Sequence, residues 1–320
     1  MAAGWRYDPS EVLPVTEARG YLYMLLAVAA LSTSAIFVKL ADAPASVTAF
    51  YRMFFSSLFI LPLLVTVNRK NILRQIRNIT GTQWGMCLLA GFFLAIHFVL
   101  WFESLNYTSV TSSTVLVTLQ PLFAFVGGSL IFGERLRFPA ISGGLLAITG
   151  SFIIGWGDMQ ISGSALFGDQ LALLAAGAVT IYFLIGQSVR KDLSLFPYTF
   201  IVYGASAFYL LIYCLVTGDA LTGYSSKEWG WFFALALIPT LFGQTVFNGL
   251  VKWFSTTTIS MSILGEPVGT AILAYYILHD HISIRQIVGG SVILLGIGMF
   301  IWFNRASRQA VHIEVAQVKS

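Results

Sequence analysis

Glu266 stands immediately before Pro267 inside Thr256–His279, a run that is otherwise apolar or weakly polar. If that run crosses a bilayer, an ionised carboxylate near its middle is costly. The cost is offset only by a cationic substrate, a proton or a hydrogen-bonding partner. Pro267 has no N–H to donate, so the carbonyl of Ile263 is left free and the helix is broken where a cavity can use the gap. Two readings follow from the residues alone. Glu266 either meets a cation that crosses the membrane, or is a neutral carboxyl that satisfies broken backbone. Gln120 before Pro121 has the same setting and can donate and accept, but carries no charge. It belongs to a polar site or glues two helices together.

Other polar residues within apolar runs divide the same way. His97 and Trp101 are four apart and share a helical face. The imidazole suits proton transfer or substrate binding, and the indole can stack on an aromatic or cationic ligand. Packing between helices is the plainer role for both. Gln244 and Asn248 form a second i, i+4 pair that either lines a path or joins helices. Arg52 lies about two turns into its run. It can snorkel, pair with Asp42 or Glu103, or receive a substrate carboxylate, which with Glu266 for an amine would make a two-charge site. The remaining chemistry is sparse. No GxSxG, HExxH or P-loop occurs, so neither an enzyme nor ATP drive is expected. Four histidines are too scattered for a metal site, and His279-x-His281 reads as a solvated loop pair. Cys87 and Cys214 sit in apolar runs as small hydrophobes. No cofactor is expected.

The runs that hold these residues are built for lipid. The 320 residues are 57% hydrophobic and 10% charged, with mean hydropathy +0.80. A soluble domain carries about 25% charged residues, and this balance in water would expose large apolar patches. A crossing takes about 20 apolar residues. Five such spans occupy Tyr21–Leu40, Ser46–Asn68, Gln83–Leu105, Thr108–Phe132 and Arg137–Trp156. Five more occupy Gly168–Ser188, Phe196–Thr217, Trp229–Lys252, Thr256–His279 and Ser283–Phe303. The pI of about 9.1 does not point to nucleic acid, because the basic residues are spread over short connectors. With the N-terminus inside, fourteen of the eighteen lysines and arginines fall on the cytoplasmic side, and only Lys39, Arg52, Lys227 and Arg285 lie toward the outside. That asymmetry places both termini and the Arg69–Arg77 loop in the cytoplasm. No cleavable signal is recognisable before the first span.

The chain also repeats. Moved forward by 146 positions, Pro121–Trp156 falls on Pro267–Trp302 without a gap. Pro121 then meets Pro267, Gly143 and Gly144 meet Gly289 and Gly290, Gly150 meets Gly296, and Glu134 meets Asp280. Gly20 and the LLA at 25–27 align with Gly168 and the LLA at 173–175 at an offset of 148. Five spans per half is an odd number, so the second half enters the membrane upside down. The expected fold is therefore all-α integral membrane, ten transmembrane helices built from two inverted five-helix repeats. Gly143 and Gly150, like Gly289 and Gly296, are seven apart on one face, which lets backbones approach closely. Spans five and ten pack there, either with each other or across a homodimer.

QPLFAFVGGSLIFGERL followed by GGLLAITG resembles the closing half of an EamA-type repeat, and EPVGTAILAYYILHDHI followed by GGSVILLGIG resembles it again. GDQLALLAAG and the FYR at 50–52 are similar to the same repeat. The second repeat departs in having His279-Asp280-His281 in place of Gly-Glu. The resemblance, to the ten-helix drug/metabolite transporter superfamily, covers about residues 20–304. It implies an exporter-like secondary carrier of amino acids or related small metabolites in a cytoplasmic (inner) membrane. The cavity would lie between the halves, lined from spans one, three, four, six, eight and nine. The expected organisation is a cytoplasmic tail at 1–19, repeats at 20–157 and 168–304, and a second cytoplasmic tail at 305–320. Expected partners are the bilayer, a small-molecule substrate and a coupling proton or cation. The charge asymmetry is directly testable. With Cys87 and Cys214 replaced, single cysteines at Asn71 and Thr222 should differ: an impermeant thiol reagent should label only position 222 in intact cells.

Overall fold

The computed structural model describes residues 17–67, 69–134, 138–155, 163–279 and 282–319, and every regular element among them is helical. The first span is α1 (Glu17–Leu31) and α2 (Thr33–Leu40), and α3 (Ala45–Thr66) is the second. After a short helix α4 (Arg69–Arg77), α5 (Gly81–Tyr107) makes the third. Thr80 starts α5 with a capping box, its hydroxyl accepting from the Gln83 N–H at 3.2 Å while Gln83 accepts from the Thr80 N–H at 3.0 Å. The fourth span is α6 (Val110–Val117) and α7 (Gln120–Phe132), and the fifth is α8 (Phe138–Gly155). In the second half α9 (Gly163–Val189) and α10 (Leu195–Thr217) are continuous. The eighth span joins α11 (Ser226–Leu235), a π-helical stretch (Ala236–Gln244) and α12 (Thr245–Leu250). The ninth is α13 (Thr256–Ile263) and α14 (Glu266–Ile277), and α15 (Ile284–Lys319) completes the set.

Among the described residues nine helices are long and apolar enough to cross a bilayer unaided. The remaining expected span, the ninth, is split at Leu264 and Gly265 into α13 and α14. Two prolines explain where the breaks fall. α7 and α14 each carry proline near their first turn, where a missing N–H costs nothing. Thr118 and Leu119 break the fourth span, and the repeat offset of 146 carries them onto Leu264 and Gly265. Thr118 closes its own break by donating to the Thr114 carbonyl at 2.9 Å. The segment expected to be a loop at Arg69–Arg77 is instead the helix α4. Arg6, Arg135, Arg137, Trp156, Asp280 and His281 lie outside the described residues.

α8 and α15 pack backbone against backbone through their glycines. A Cβ built on Gly150 would lie 2.6 Å from the Gly289 carbonyl oxygen, and one on Gly143 would lie 2.9 Å from that of Gly296. The reciprocal contacts hold too, with Gly289 against the Gly150 oxygen and Gly296 against that of Gly143, both at 2.6 Å. Rising numbers on α8 meet falling numbers on α15, so the pair is antiparallel, as halves of opposite orientation require. The glycine faces are thus spent on each other within one chain. Around this pair and the main core, large apolar side chains such as Leu25, Leu130, Val216 and Trp302 point outward, which suits a hydrocarbon solvent.

The seam predicts a stability effect. Gly150→Leu or Gly296→Leu drives four heavy atoms into opposing backbone and should cost about 1–3 kcal/mol by overpacking. Melting curves of the purified variants in detergent should shift down in both cases.

Candidate functional site

Between the two halves lies a narrow cavity with free room for about one water molecule. All six polar candidates read from the sequence, Glu266, Gln120, His97, Trp101, Gln244 and Arg52, line it. Apolar wall comes from Leu31, Phe98, Val117, Val179, Phe183 and Ile263. The walls therefore draw on spans one, three, four, six, eight and nine, and on the second span through Arg52.

Gln120 and Glu266 are the first residues of α7 and α14, so each stands where a broken span restarts with unpaired N–H groups. Both are anchored by the same device. Ser32 Oγ, in the kink of the first span, donates to the Glu266 carbonyl at 3.2 Å. Thr180 Oγ1, in the sixth span, donates to the Gln120 carbonyl at 3.4 Å. Ser32 and Thr180 are 148 apart, the repeat offset, so the two half-helices are held by equivalent residues. Thr270 adds a bond to the Ser32 carbonyl at 3.2 Å. Among the described residues no hydrogen bond reaches the Glu266 carboxylate, and the charge it senses is that of Arg52.

Arg52 neither snorkels nor pairs with Asp42 or Glu103. It is 1% exposed and turned into the bundle. Nε donates to Thr240 Oγ1 at 2.9 Å, Nη1 donates to Ser34 Oγ at 2.6 Å, and the guanidinium lies 4.4 Å from the centre of the Phe98 ring. The eighth span makes this possible. Pro239 cannot donate to the Leu235 carbonyl one turn back. Thr240 Oγ1 donates there instead at 2.8 Å and keeps its lone pairs for Arg52. The widened π turn is the local price of that arrangement. The Asp42 backbone N–H donates to Glu228 Oε2 at 3.0 Å, and Glu103 accepts from Asn106.

His97 binds the Ala175 carbonyl through Nδ1 at 3.0 Å. A carbonyl only accepts, so the proton sits on Nδ1 and a neutral ring keeps Nε2 as an acceptor. The ring stacks on Trp101 at 5.7 Å and 26°. Three buried polar atoms on the cavity residues, Trp101 Nε1, Gln120 Oε1 and Gln244 Nε2, have no protein partner. Six further buried side-chain atoms on described residues away from the cavity share this condition, and each costs about 1–3 kcal/mol when left unmet. Three around one cavity point to a ligand or water that supplies the missing bonds.

The Gln244 and Asn248 pair splits between its two readings. Gln244 lines the cavity, whereas Asn248 accepts from Tyr182 OH at 2.6 Å and donates to Tyr203 OH at 3.1 Å. Asn248 thus joins the sixth, seventh and eighth spans. Neither tyrosine stood out among the chain's 13, although a mid-span asparagine demands buried partners of their kind. Carboxylates clasp both ends of the bundle. At one end Glu134 accepts from Thr257 at 2.7 Å and from Gln187 at 3.4 Å. At the other, Asp219 accepts from Ser46 and Asp169 accepts from Thr108 and Ser112. Among the described residues no three His, Cys, Asp or Glu side chains gather to hold a metal ion.

With this geometry in hand, known proteins give a consistent answer. The EamA-like transporter family matches residues 18–156 and again 166–302. A protein of Archaeoglobus fulgidus called "Uncharacterized transporter" is 22% identical over 278 residues, covering 87% of this chain and 94% of its own. "Uncharacterized transporter YxxF" of Bacillus subtilis is 24% identical over 214 residues, 66% of this chain and 68% of its own. One solved crystal structure superposes with a TM-score of 0.71 at 14% identity, covering 89% of this chain and 98% of that one. The last likeness concerns the fold alone.

The divided roles of the pair generate a contrast. Asn248→Leu strands Tyr182 OH and should cost about 1–3 kcal/mol. Gln244→Ala, whose Nε2 already lacks a partner, should melt much closer to the parent. Thermal unfolding of the two variants side by side checks this.

Proposed function

The chain belongs to the EamA-like transporter family, and on that premise we propose that it is a secondary carrier of small metabolites, amino acids foremost, with its substrate site in the central cavity. The observation that carries the reading is the unmet bonding capacity of that cavity. Trp101 Nε1, Gln244 Nε2 and the Arg52 guanidinium are donors; Gln120 Oε1 and the Glu266 carboxylate are acceptors. Once the halves part enough to admit it, a molecule with both an amine and a carboxylate would satisfy both sets, with Phe98 and Phe183 as an apolar wall for its side chain. Arg52 is the natural partner of the carboxylate and Glu266 of the amine, since opposite charges in a low-dielectric site attract strongly.

Alternating access suits inverted halves that meet at such a site. The carboxylate clasps at the two ends are few and polar, so each can open while the other holds. The family resemblance supports export across an inner membrane, and the fourteen-to-four basic asymmetry supports cytoplasmic termini. The chain carries no P-loop, so the work would come from gradients of substrate, proton or cation. No chemical reaction is proposed.

Counterflow tests the reading. Proteoliposomes loaded with unlabelled amino acids should accumulate a labelled one from outside, and vesicles lacking the protein should not. Failure across amino acids, with counterflow instead of nucleosides or sugars, would keep the carrier and discard the substrate class. Failure with every solute would discard the carrier.

Glu266→Gln keeps size and most hydrogen bonding but removes charge and titration. Its transport should fall at least tenfold or lose its pH dependence, while folding and membrane insertion survive. A variant with the parent rate and pH profile would make Glu266 structural.

A further inference from the structure

The helix α4 (Arg69–Arg77) has no part in the cavity, yet its faces are sharply divided. At about 100° per residue, Arg69, Lys70 and Arg77 fall within one arc of roughly that width, and all three are exposed. Leu73 lies inside that arc and is 52% exposed, whereas Ile72, on another side, is 4% exposed and packs into the main core. Gln75 lies beyond Ile72 and ties this helix to the seventh span. Its Oε1 accepts both the N–H of Ser194, at 3.0 Å, and the Ser194 hydroxyl. Ser194 is the N-cap of α10, so α4 braces the start of the seventh span.

Position restricts what the basic face can meet. Only residues 67–68 separate α4 from α3, and 78–80 separate it from α5. Tethers this short hold α4 at the level where the second and third spans leave the bilayer. A helix at that level with cations flanking an exposed leucine presents the two features of an interfacial helix: an apolar group for the acyl boundary and positive charge for phosphate. No acidic residue occurs between Arg69 and Arg77 to neutralise it.

We propose that α4 is a docking surface for anionic phospholipid headgroups, with Arg69, Lys70 and Arg77 binding the phosphates and Leu73 entering the acyl boundary. Because the core face holds Ile72 and Gln75 holds Ser194, a docked lipid stiffens the junction of the second, third and seventh spans. The inference does not depend on what crosses the central cavity.

The test uses the full chain purified in a maltoside detergent, with unfolding followed by tryptophan fluorescence. Added phosphatidylglycerol should raise the melting temperature by several degrees more than the same amount of phosphatidylcholine. High salt should remove that difference, since screening weakens exposed charge. The triple variant Arg69→Gln, Lys70→Gln, Arg77→Gln should lose it, while Lys227→Gln with Arg285→Gln, at the opposite end of the bundle, should keep it. If the triple variant does not fold, Arg69→Lys with Arg77→Lys must retain the preference and Lys70→Gln alone must reduce it. Equal shifts from the two lipids would overturn the proposal, as would an unchanged preference in the triple variant. An equal shift from inorganic phosphate would also overturn it, by pointing to a soluble-anion site.

Discussion

A guanidinium at the middle of a helix bundle has no water to retreat to, and Arg52 is accommodated only because four spans bring it partners at once. Ser34 comes from the first span, Thr240 from the eighth, Phe98 from the third, and Glu266 shares the cavity from the ninth. Each partner carries its own structural demand. Thr240 reaches Arg52 from a π turn that Pro239 makes necessary, and Glu266 sits at the restart of a broken helix. Irregularities that proline imposes on the eighth and ninth spans thus come to serve one charge.

The irregularities come in matched sets because the chain is built twice. Ser32 holds the restart at Glu266, and Thr180 holds the restart at Gln120. The duplication supplies the frame, and the differences between the copies supply the chemistry. Glutamate against glutamine at equivalent positions makes the cavity electrically lopsided while its backbone remains nearly symmetric. Arg52 deepens that asymmetry, since position 200, its counterpart at the repeat offset of 148, is Phe200.

How far the sequence was legible follows from the same physics. Spans and repeats were readable because lipid imposes a long apolar run, and because prolines and glycines mark a register that drift does not blur. The polar residues within those runs stood out by their cost, so the six candidates were found without knowing how the spans pack. What they touch was not readable. Snorkelling was a sound expectation for Arg52 from its depth alone, and it failed because Thr240 and Ser34, 188 and 18 positions away, converge on it. Asn248 looked like Gln244 until Tyr182 and Tyr203 were seen to claim it. The helix α4 was hidden for a different reason: too short and too basic to register as a span, it read as a connector.

The glycine seam between α8 and α15 carries an implication about origins. Gly143 touches Gly296 and Gly150 touches Gly289, and the repeat register exchanges these two contacts with each other. The patch is therefore isologous: what α8 presents, α15 presents in return. A polypeptide of five spans bearing this one helix would already be its own complement, meeting a second copy in the opposite orientation with no new surface to invent. Fusing two such copies into one chain changes the concentration at which the surfaces find each other, and leaves their shape alone.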